Sequence, residues 1–334
     1  MNATRQTLEE HLAKQQALLA SDQARGMAVI ISRIAAVAAT IAQELAHAAL
    51  RDQLGYAGGS NITGDQVKKL DVWGHDTMLA ALRQSGVCAA LVSEEAPEPI
   101  EIREGKGPRG VVVACDPVDG SSNLDVNGSV GTIFSVKPSL GWDPAGPAAL
   151  TPGTDQLAAG YVMYGPATAL VYTAGNGTHG FTMDRETGTF YLTHSNIRIP
   201  RKGKAYGINE GNISTWHPGQ RAFVEYLKTP DKATGRPYSL RYSGAMVADV
   251  HRTLLDGGLF MYPADMSDPT KPKGKLRLLY EVAPMGMVVE QAGGRASTGT
   301  ERVLELKATD YHQRAAIIVG SPDDVTLAEE FYRR

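Results

Sequence analysis

Asp116-Pro117-Val118-Asp119-Gly120-Ser121-Ser122-Asn123 is the stretch on which the reading of this chain turns. It follows Val111, Val112, Val113, Ala114 and Cys115, a short β-branched run behind a glycine, which predicts a buried strand delivering its last residue to a sheet edge. Two carboxylates then stand one loop apart. Pro117 stiffens the backbone between them, and Asp119-Gly120 is a turn dipeptide whose glycine can take the positive φ that aims successive N–H groups into one cavity. Such a nest binds anions. Carboxylates beside it, with the hydroxyls of Ser121 and Ser122, make chemical sense where a divalent cation bridges them to a phosphate, because carboxylate and phosphate otherwise repel. A hairpin turn with a capping Asp is the plainer reading of the same letters. An EF-hand loop is excluded, since the second Asp falls at the fourth place and the twelfth is Asn127. A Walker loop is excluded because no glycine-framed lysine followed by Ser or Thr lies here.

Working outward, Val87 to Val92 predicts another buried strand, and it ends in Ser93-Glu94-Glu95. Two glutamates at a strand end are ordinarily a solvated exit. Beside Asp116 and Asp119, which also follow a buried strand, they place four carboxylates at one sheet edge. Such a cluster repels itself unless cations neutralise it. Magnesium or manganese suits all-oxygen ligands, and the absence of a His and Cys cluster with metal spacing argues against zinc. From Leu54 to Asp71 the glycines Gly58, Gly59 and Gly64 predict a long loop carrying Asp65 and Asp71, a candidate lid. Asp71, just ahead of Val72, Trp73, Met78 and Leu79, is equally a good helix N-cap. Glu281 lies six residues after Lys275 on a predicted helix among Leu278, Leu279, Tyr280 and Val282. A glutamate buried there needs a partner, and either Arg277 or a metal can serve.

The rest of the chain reads as scaffold. Leu8, Leu12 and Leu19 mark one amphipathic helix, and Ile30, Ile34, Val37, Ile41 and Leu45 a second, longer one. Between Asn127 and Thr193 short apolar runs alternate with Gly, Pro and Asn, predicting antiparallel strands. The polar and basic stretch from His194 to Lys204 is where two lobes divide, 1–196 and 197–334, and its Arg198, Arg201, Lys202 and Lys204 read as a solvated linker. With 334 residues, 43% of them hydrophobic, the chain exceeds what one core usually organises. A net charge of −3 offers no basic footprint for nucleic acid or anionic membrane. No run approaches the roughly 20 apolar residues of a membrane span, and none resembles a signal peptide, so a cytoplasmic protein is expected. Cys88 and Cys115, both in strand-like runs, are expected to be buried free thiols. In the second half, Ile208-Asn209-Glu210-Gly211 follows a short strand, Arg241 and Tyr242 precede a helix predicted from Ser243 to Asp256, Tyr262 ends a strand, and Lys275 opens the next helical run.

DPVDGSSN resembles the signature of the lithium-sensitive, metal-dependent sugar phosphatases. NITGDQVKKLD (Asn61 to Asp71), LVSEE (Leu91 to Glu95), NEG (Asn209 to Gly211), MVADVHRTLL (Met246 to Leu255) and KLRLLYE with PMGMVVEQAGG (Lys275 to Gly294) narrow the resemblance to class I fructose-1,6-bisphosphatase. It runs from about Tyr56 nearly to the C-terminus. The resemblance implies an α/β fold layered α-β-α-β-α, with mixed sheets, helices between them and two lobes. It implies two to three Mg2+ ions per active site, with Mn2+ an alternative, held by Glu94, Asp116, the carbonyl of Val118, Asp119 and Glu281, and joined by Asp65 when the loop closes. Glu95 and Asp71 then act on the attacking water, and Asp119, Gly120, Ser121 and Ser122 hold the 1-phosphate. Asn209, Tyr242, Tyr262 and Lys275 anchor the 6-phosphate together with Arg241 of a neighbouring subunit, which implies a homo-oligomer, tetrameric by resemblance.

Two departures stand out. Asn212 occupies the place of a frequent family tyrosine after Asn-Glu-Gly. Arg25-Gly26-Met27 and Gly110-Val111 replace the residues that cradle the family's inhibitor AMP, so weak or no inhibition is expected. The implied activity is metal-dependent hydrolysis of the 1-phosphate of fructose 1,6-bisphosphate. The alternatives are a sedoheptulose-1,7-bisphosphatase or dual-specificity enzyme and, in another class, a non-catalytic sugar-phosphate sensor. A broader monophosphatase of the inositol type fits less well because of the distal phosphate set.

Overall fold

The leading apolar stripes form helices where their spacing places them, α1 (Leu8–Leu19) and α2 (Asp22–His47). The structure, a computed structural model, describes residues 5–19, 21–60, 66–102, 110–139, 150–268 and 274–334. Ser21 opens α2 by accepting the Ala24 N–H at 3.1 Å, one of the donors a helix N-terminus leaves over. Leu8 and Leu12 are buried, as are Ile30, Ile34, Val37 and Ile41; the Leu19 side chain lies outside the described set. The expectation that no segment approaches a membrane span needs correcting, because Ala24–Arg51 is long and apolar enough to cross one. Over half of its most apolar 18 residues are buried inside the molecule, so its apolar stripe belongs to the core.

Paired strands β1 (Tyr56–Ser60) and β2 (Gln66–Lys68) replace part of the predicted loop, and α3 (Lys69–Arg83) follows. Residues 61–65, Asp65 among them, lie outside the described set. The first sheet is built from β3 (Cys88–Ser93), β4 (Ile100–Glu101), β5 (Val111–Asp119), β6 (Val130–Pro138), β7 (Ala158–Tyr164), β8 (Thr168–Thr173), β9 (Thr178–Met183) and β10 (Phe190–Ile197). Their spatial order is β10-β9-β8-β7-β6-β5-β3-β4. All neighbours run antiparallel except β3 and β5. The basic stretch beyond β10 is exposed, with Arg201 paired to Asp323 at 2.5 Å.

The second half adds β11 (Ala205–Gly207), α4 (Pro218–Lys228), β12 (Ser239–Leu240), α5 (Met246–Asp256), β13 (Leu259–Tyr262), β14 (Leu276–Arg277), α6 (Ala283–Gln291), β15 (Arg295–Ser297), β16 (Arg314–Ala315), β17 (Ile317–Gly320) and α7 (Pro322–Arg333). The second sheet is mixed, in the order β12-β11-β13-β17-β15. Because strand side chains alternate between faces, each sheet has two apolar sides to cover. Leu91, Val113, Phe134 and Val162 face α1, α2 and α3. Ala90, Val112, Ile133 and Tyr161 face α5 and α6, whose far sides meet Phe260, Ile317 and Val319 of the second sheet. Leu259, Met261 and Ile318 on that sheet's other side are covered by α4 and α7. The result is the expected α-β-α-β-α stack.

Two boundaries differ from expectation. The helix predicted from Ser243 begins at Met246. Lys275 to Glu281 is helical only from Leu278: Leu276 and Arg277 pair with β16, and Leu278–Val282 forms a π-helical turn before α6.

Candidate active site

The parallel pair β3 and β5 sets the site. Ser93 stands opposite Cys115, and the Glu94 N–H donates to the Cys115 carbonyl at 3.2 Å, so Glu94 leaves the sheet beside Asp116. The register of β5 against β6 shifts between Asp116 and Asp119. Such a bulge re-aims side chains, and the Thr132 hydroxyl donates to the Pro117 carbonyl at 2.7 Å within it. The Val118 N–H donates to Asp116 Oδ1 at 3.0 Å. Asp119 is held from the other half of the chain, its Oδ2 accepting the Val247 N–H at 2.8 Å. Ala245, the residue before α5, offers no side-chain cap, so Asp119 satisfies an orphan donor at that helix N-terminus.

Glu281 reaches the same point from the π-helical turn, a form that recurs at functional sites. Its Oε2 accepts the Arg277 N–H at 2.5 Å. Asp116, Asp119 and Glu281 thereby offer oxygens within 4.8 Å of one another, all buried. The Arg277 guanidinium contacts Glu94 at 2.5 Å and Glu281 at 3.8 Å. Glu281 thus pairs with Arg277 and also stands in the carboxylate trio with Asp116 and Asp119.

The surrounding cleft has a volume of 460 Å³. Asp71, Glu94, Glu95, Asp116, Val118, Asp119 and the turn Gly120-Ser121-Ser122 line it from one lobe, and Tyr242, Tyr262, Lys275 and Glu281 from the other. Gly120 takes φ +75, the left-handed conformation, and a 3-10 turn begins at Ser121. Asp71 needs a correction: it is the third residue of α3 rather than its cap, and its Oδ2 accepts the N–H of Lys68, the capping position, at 2.8 Å. Its Oδ1 is buried without a hydrogen bond.

Among the described residues, two predicted ones fall outside the cleft lining. The Asn209 amide oxygen instead caps a short turn by accepting the Gly211 N–H at 3.1 Å. Arg241 is exposed, its Nη1 donating to the Leu240 carbonyl at 2.8 Å. Sequence reasoning missed the link from Arg277 to Glu94, which only tertiary closure creates. It also missed Lys68, which lies in the cleft wall over the Tyr56 ring at 3.8 Å and bonds Asp125.

The electrostatics follow from the crowding. Burial and then the Glu94 charge push Asp116 well above the usual carboxylate range. Burial raises Asp119 to about 7 against the N–H groups of Val247 and Met246, and Glu281 to about 8 against Arg277. Asp71 rises to about 6, through burial first, with Lys68 N–H opposing and Glu94 adding. One guanidinium does not offset this much buried acid. The donor set of Asp116, Asp119 and Glu281 is all oxygen, converging and under-neutralised, which fits a hard divalent cation. Cys88 and Cys115 are buried free thiols, Cys115 directly before Asp116 and Cys88 at the far end of β3, with burial raising Cys88 to about 12.

The chain resembles known proteins along nearly its whole length. The profile of the fructose-1-6-bisphosphatase N-terminal domain matches residues 6–195 and that of the C-terminal domain residues 199–333. The chain is 45% identical over 331 residues to a class 1 fructose-1,6-bisphosphatase of Chlorobium chlorochromatii, covering 97% of each chain. It is 46% identical over 296 residues to one of Maridesulfovibrio salexigens, covering 88% of each. Among solved structures, Leishmania major fructose-1,6-bisphosphatase in holo form superposes with a TM-score of 0.90 at 40% identity, over 99% of this chain and 100% of the other. The apo form gives 0.85 at 37% over the same shares.

Proposed function

The chain belongs to the fructose-1,6-bisphosphatase family, and from that premise we propose that it hydrolyses the 1-phosphate of D-fructose 1,6-bisphosphate to fructose 6-phosphate and phosphate. The observation that carries this reading is one cleft uniting a buried carboxylate trio with Tyr242, Tyr262 and Lys275. Glu94, Asp116, the Val118 carbonyl, Asp119 and Glu281, with Asp65, are the residues to hold two to three Mg2+ ions, or Mn2+, which when bound neutralise the phosphoryl group and the departing alkoxide. Glu95 and Asp71 orient the attacking water and accept its proton. Asp71 suits that task because Oδ1 is unpaired and its proton affinity sits near 6. The backbone N–H groups of Gly120, Ser121 and Ser122 receive the phosphoryl oxygens. Tyr242, Tyr262 and Lys275 grip the distal phosphate, with Asn209 at its margin.

Arg241, exposed outside its own cleft, serves a neighbouring subunit in this reading, which makes the working form a homo-oligomer, a tetramer. The lobes meet at 196/197, and the enzyme works in the cytoplasm, where two free thiols stay reduced. The test is phosphate release from fructose 1,6-bisphosphate and sedoheptulose 1,7-bisphosphate, with Mg2+ or with chelator, for the intact chain and Glu95→Gln. Release should require metal and fall roughly 10²–10⁴-fold in the variant, the range for losing a general base. The ratio of the two sugars decides the preferred substrate. No release from either sugar under any metal would leave a sugar-phosphate sensor as the better reading.

A further inference from the structure

Ser243 is held on three sides. Its N–H donates to both oxygens of Asp249, at 3.0 and 3.1 Å. Its carbonyl accepts Asn123 Nδ2 at 3.1 Å. Its hydroxyl donates to the Ala245 carbonyl at 3.0 Å and accepts the Ala245 N–H at 3.2 Å. Asn123 in turn belongs to the phosphoryl-binding turn: its N–H donates to the Gly120 carbonyl at 2.8 Å, and its amide also donates to the Ser129 carbonyl at 3.0 Å. Asp249 is buried on α5. On the far side of Tyr242, the Arg241 N–H donates to the Tyr206 carbonyl at 2.8 Å, tying that end to β11. Tyr242, a distal-phosphate residue in the proposed function, is thus suspended between two fixed peptides. One of them is bonded through Asn123 to the turn that receives the other phosphate.

We propose that Asp249 and Asn123 are positioning residues that set the substrate length this cleft accepts, by fixing the Ser243 peptide and so the distance from the turn at Gly120 to Tyr242. The proposal rests on the bisphosphatase reading and deepens it. Asn123 spans the two lobes, while Asp249 stops the Ser243 peptide from swinging away from it. Neither side chain has to touch the sugar. A residue that only stabilised the start of α5 would affect every phosphoester alike. A spacer acts on the substrate that is gripped at both ends, because misplacing one anchor by a fraction of an ångström loses the benefit of the second.

The experiment compares Asp249→Ala, Asp249→Asn and Asn123→Ala with the intact chain on fructose 1,6-bisphosphate, sedoheptulose 1,7-bisphosphate and fructose 1-phosphate, which lacks the distal phosphate. Asp249→Ala and Asn123→Ala should raise KM for fructose 1,6-bisphosphate about tenfold, on the scale of one lost charge-assisted hydrogen bond. Their kcat/KM should fall at least five times more for that sugar than for fructose 1-phosphate, and the ratio of sedoheptulose to fructose bisphosphate should rise. Asp249→Asn keeps an acceptor for the Ser243 N–H and should restore most of the loss. In a Tyr242→Phe background Asp249→Ala and Asn123→Ala should change KM less than twofold, since their effect passes through that tyrosine. Equal losses on all three substrates, or no change in KM in folded Asp249→Ala or Asn123→Ala, would overturn the spacer. An intact chain that hydrolyses neither bisphosphate would instead overturn the reading beneath it.

Discussion

At the scale of single residues, Gly120 carries two constraints at once. Its φ of +75 costs an alanine roughly 1–2 kcal/mol, and a Cβ there would stand 2.5 Å from the Ala245 Cβ and 2.9 Å from its Cα. The turn and the start of α5 must therefore part for any larger residue to enter, moving the N–H groups of Ser121 and Ser122 away from the phosphoryl position. Gly120→Ala is expected to lower kcat/KM at least ~100-fold, the scale of a displacement near 1 Å, while the far-ultraviolet circular dichroism stays native. Adding Ala245→Gly removes the clash between side chains but leaves the backbone of that position too close and the φ strained, so it should recover only part of the loss. A fully active Gly120→Ala would show that the turn does not need this geometry. Here the letters disclosed half of the reason. Asp119-Gly120 reads as a turn from local chemistry alone, whereas Ala245 lies far along the chain and nothing in the local pattern announces it. Arg277 is similar: its spacing to Glu281 was readable, but its contact with Glu94 joins two lobes.

Elements were legible where periodicity is strong and obscure where geometry is irregular. The apolar runs located β3, β5 and the meander from β6 to β10, and the stripes located α1 and α2. The π-helical turn at Leu278–Val282 looked like ordinary helix, because one extra residue per turn leaves almost no mark on a pattern of leucines. The β1 and β2 pair looked like loop because of its glycines. The docking of α1 was also hidden, although it has a consequence for pH. His11 on α1 is buried with Nε2 unpaired, 4.5 Å ring to ring from His179 of β9 and in edge contact with Phe181 and Tyr172. Burial first, then the nearby His179 and Lys14, pushes its imidazole down to about 4. The unfolded chain takes up this proton near 6.5 while the folded chain refuses it until about 4, so stability is full above 6.5, falls as pH drops through that window and levels off below it. The His11 share is on the order of 3 kcal/mol. Urea midpoints at pH 7, 5.5 and 4.5 should fall less steeply for His11→Phe than for the intact chain. An equal slope in the two would mean that the ring gains solvent before the fold is lost.

The whole molecule is divided into lobes by sequence but not by packing. The central helix layer, α5 and α6, comes from the second half, yet its buried face meets Ala90, Val112, Ile133 and Tyr161 of the first sheet as well as Phe260, Ile317 and Val319 of the second. At the site the same interleaving recurs, because Asp116 and Asp119 come from β5 and Glu281 from the turn before α6. Neither half can keep its core or its buried carboxylate trio alone, so unfolding should be a single cooperative transition. Trp73 on α3 and Trp216 beside α4 report on opposite outer layers. Variants retaining only one or the other should share one urea midpoint, and Mg2+ at 100 times its dissociation constant should raise both together by about 2.7 kcal/mol for each site filled. Two separate midpoints would mean that the lobes fold independently and merely dock. A metal shift seen by one tryptophan and not the other would place the cation within a single lobe, which the positions of Asp119 and Glu281 do not allow.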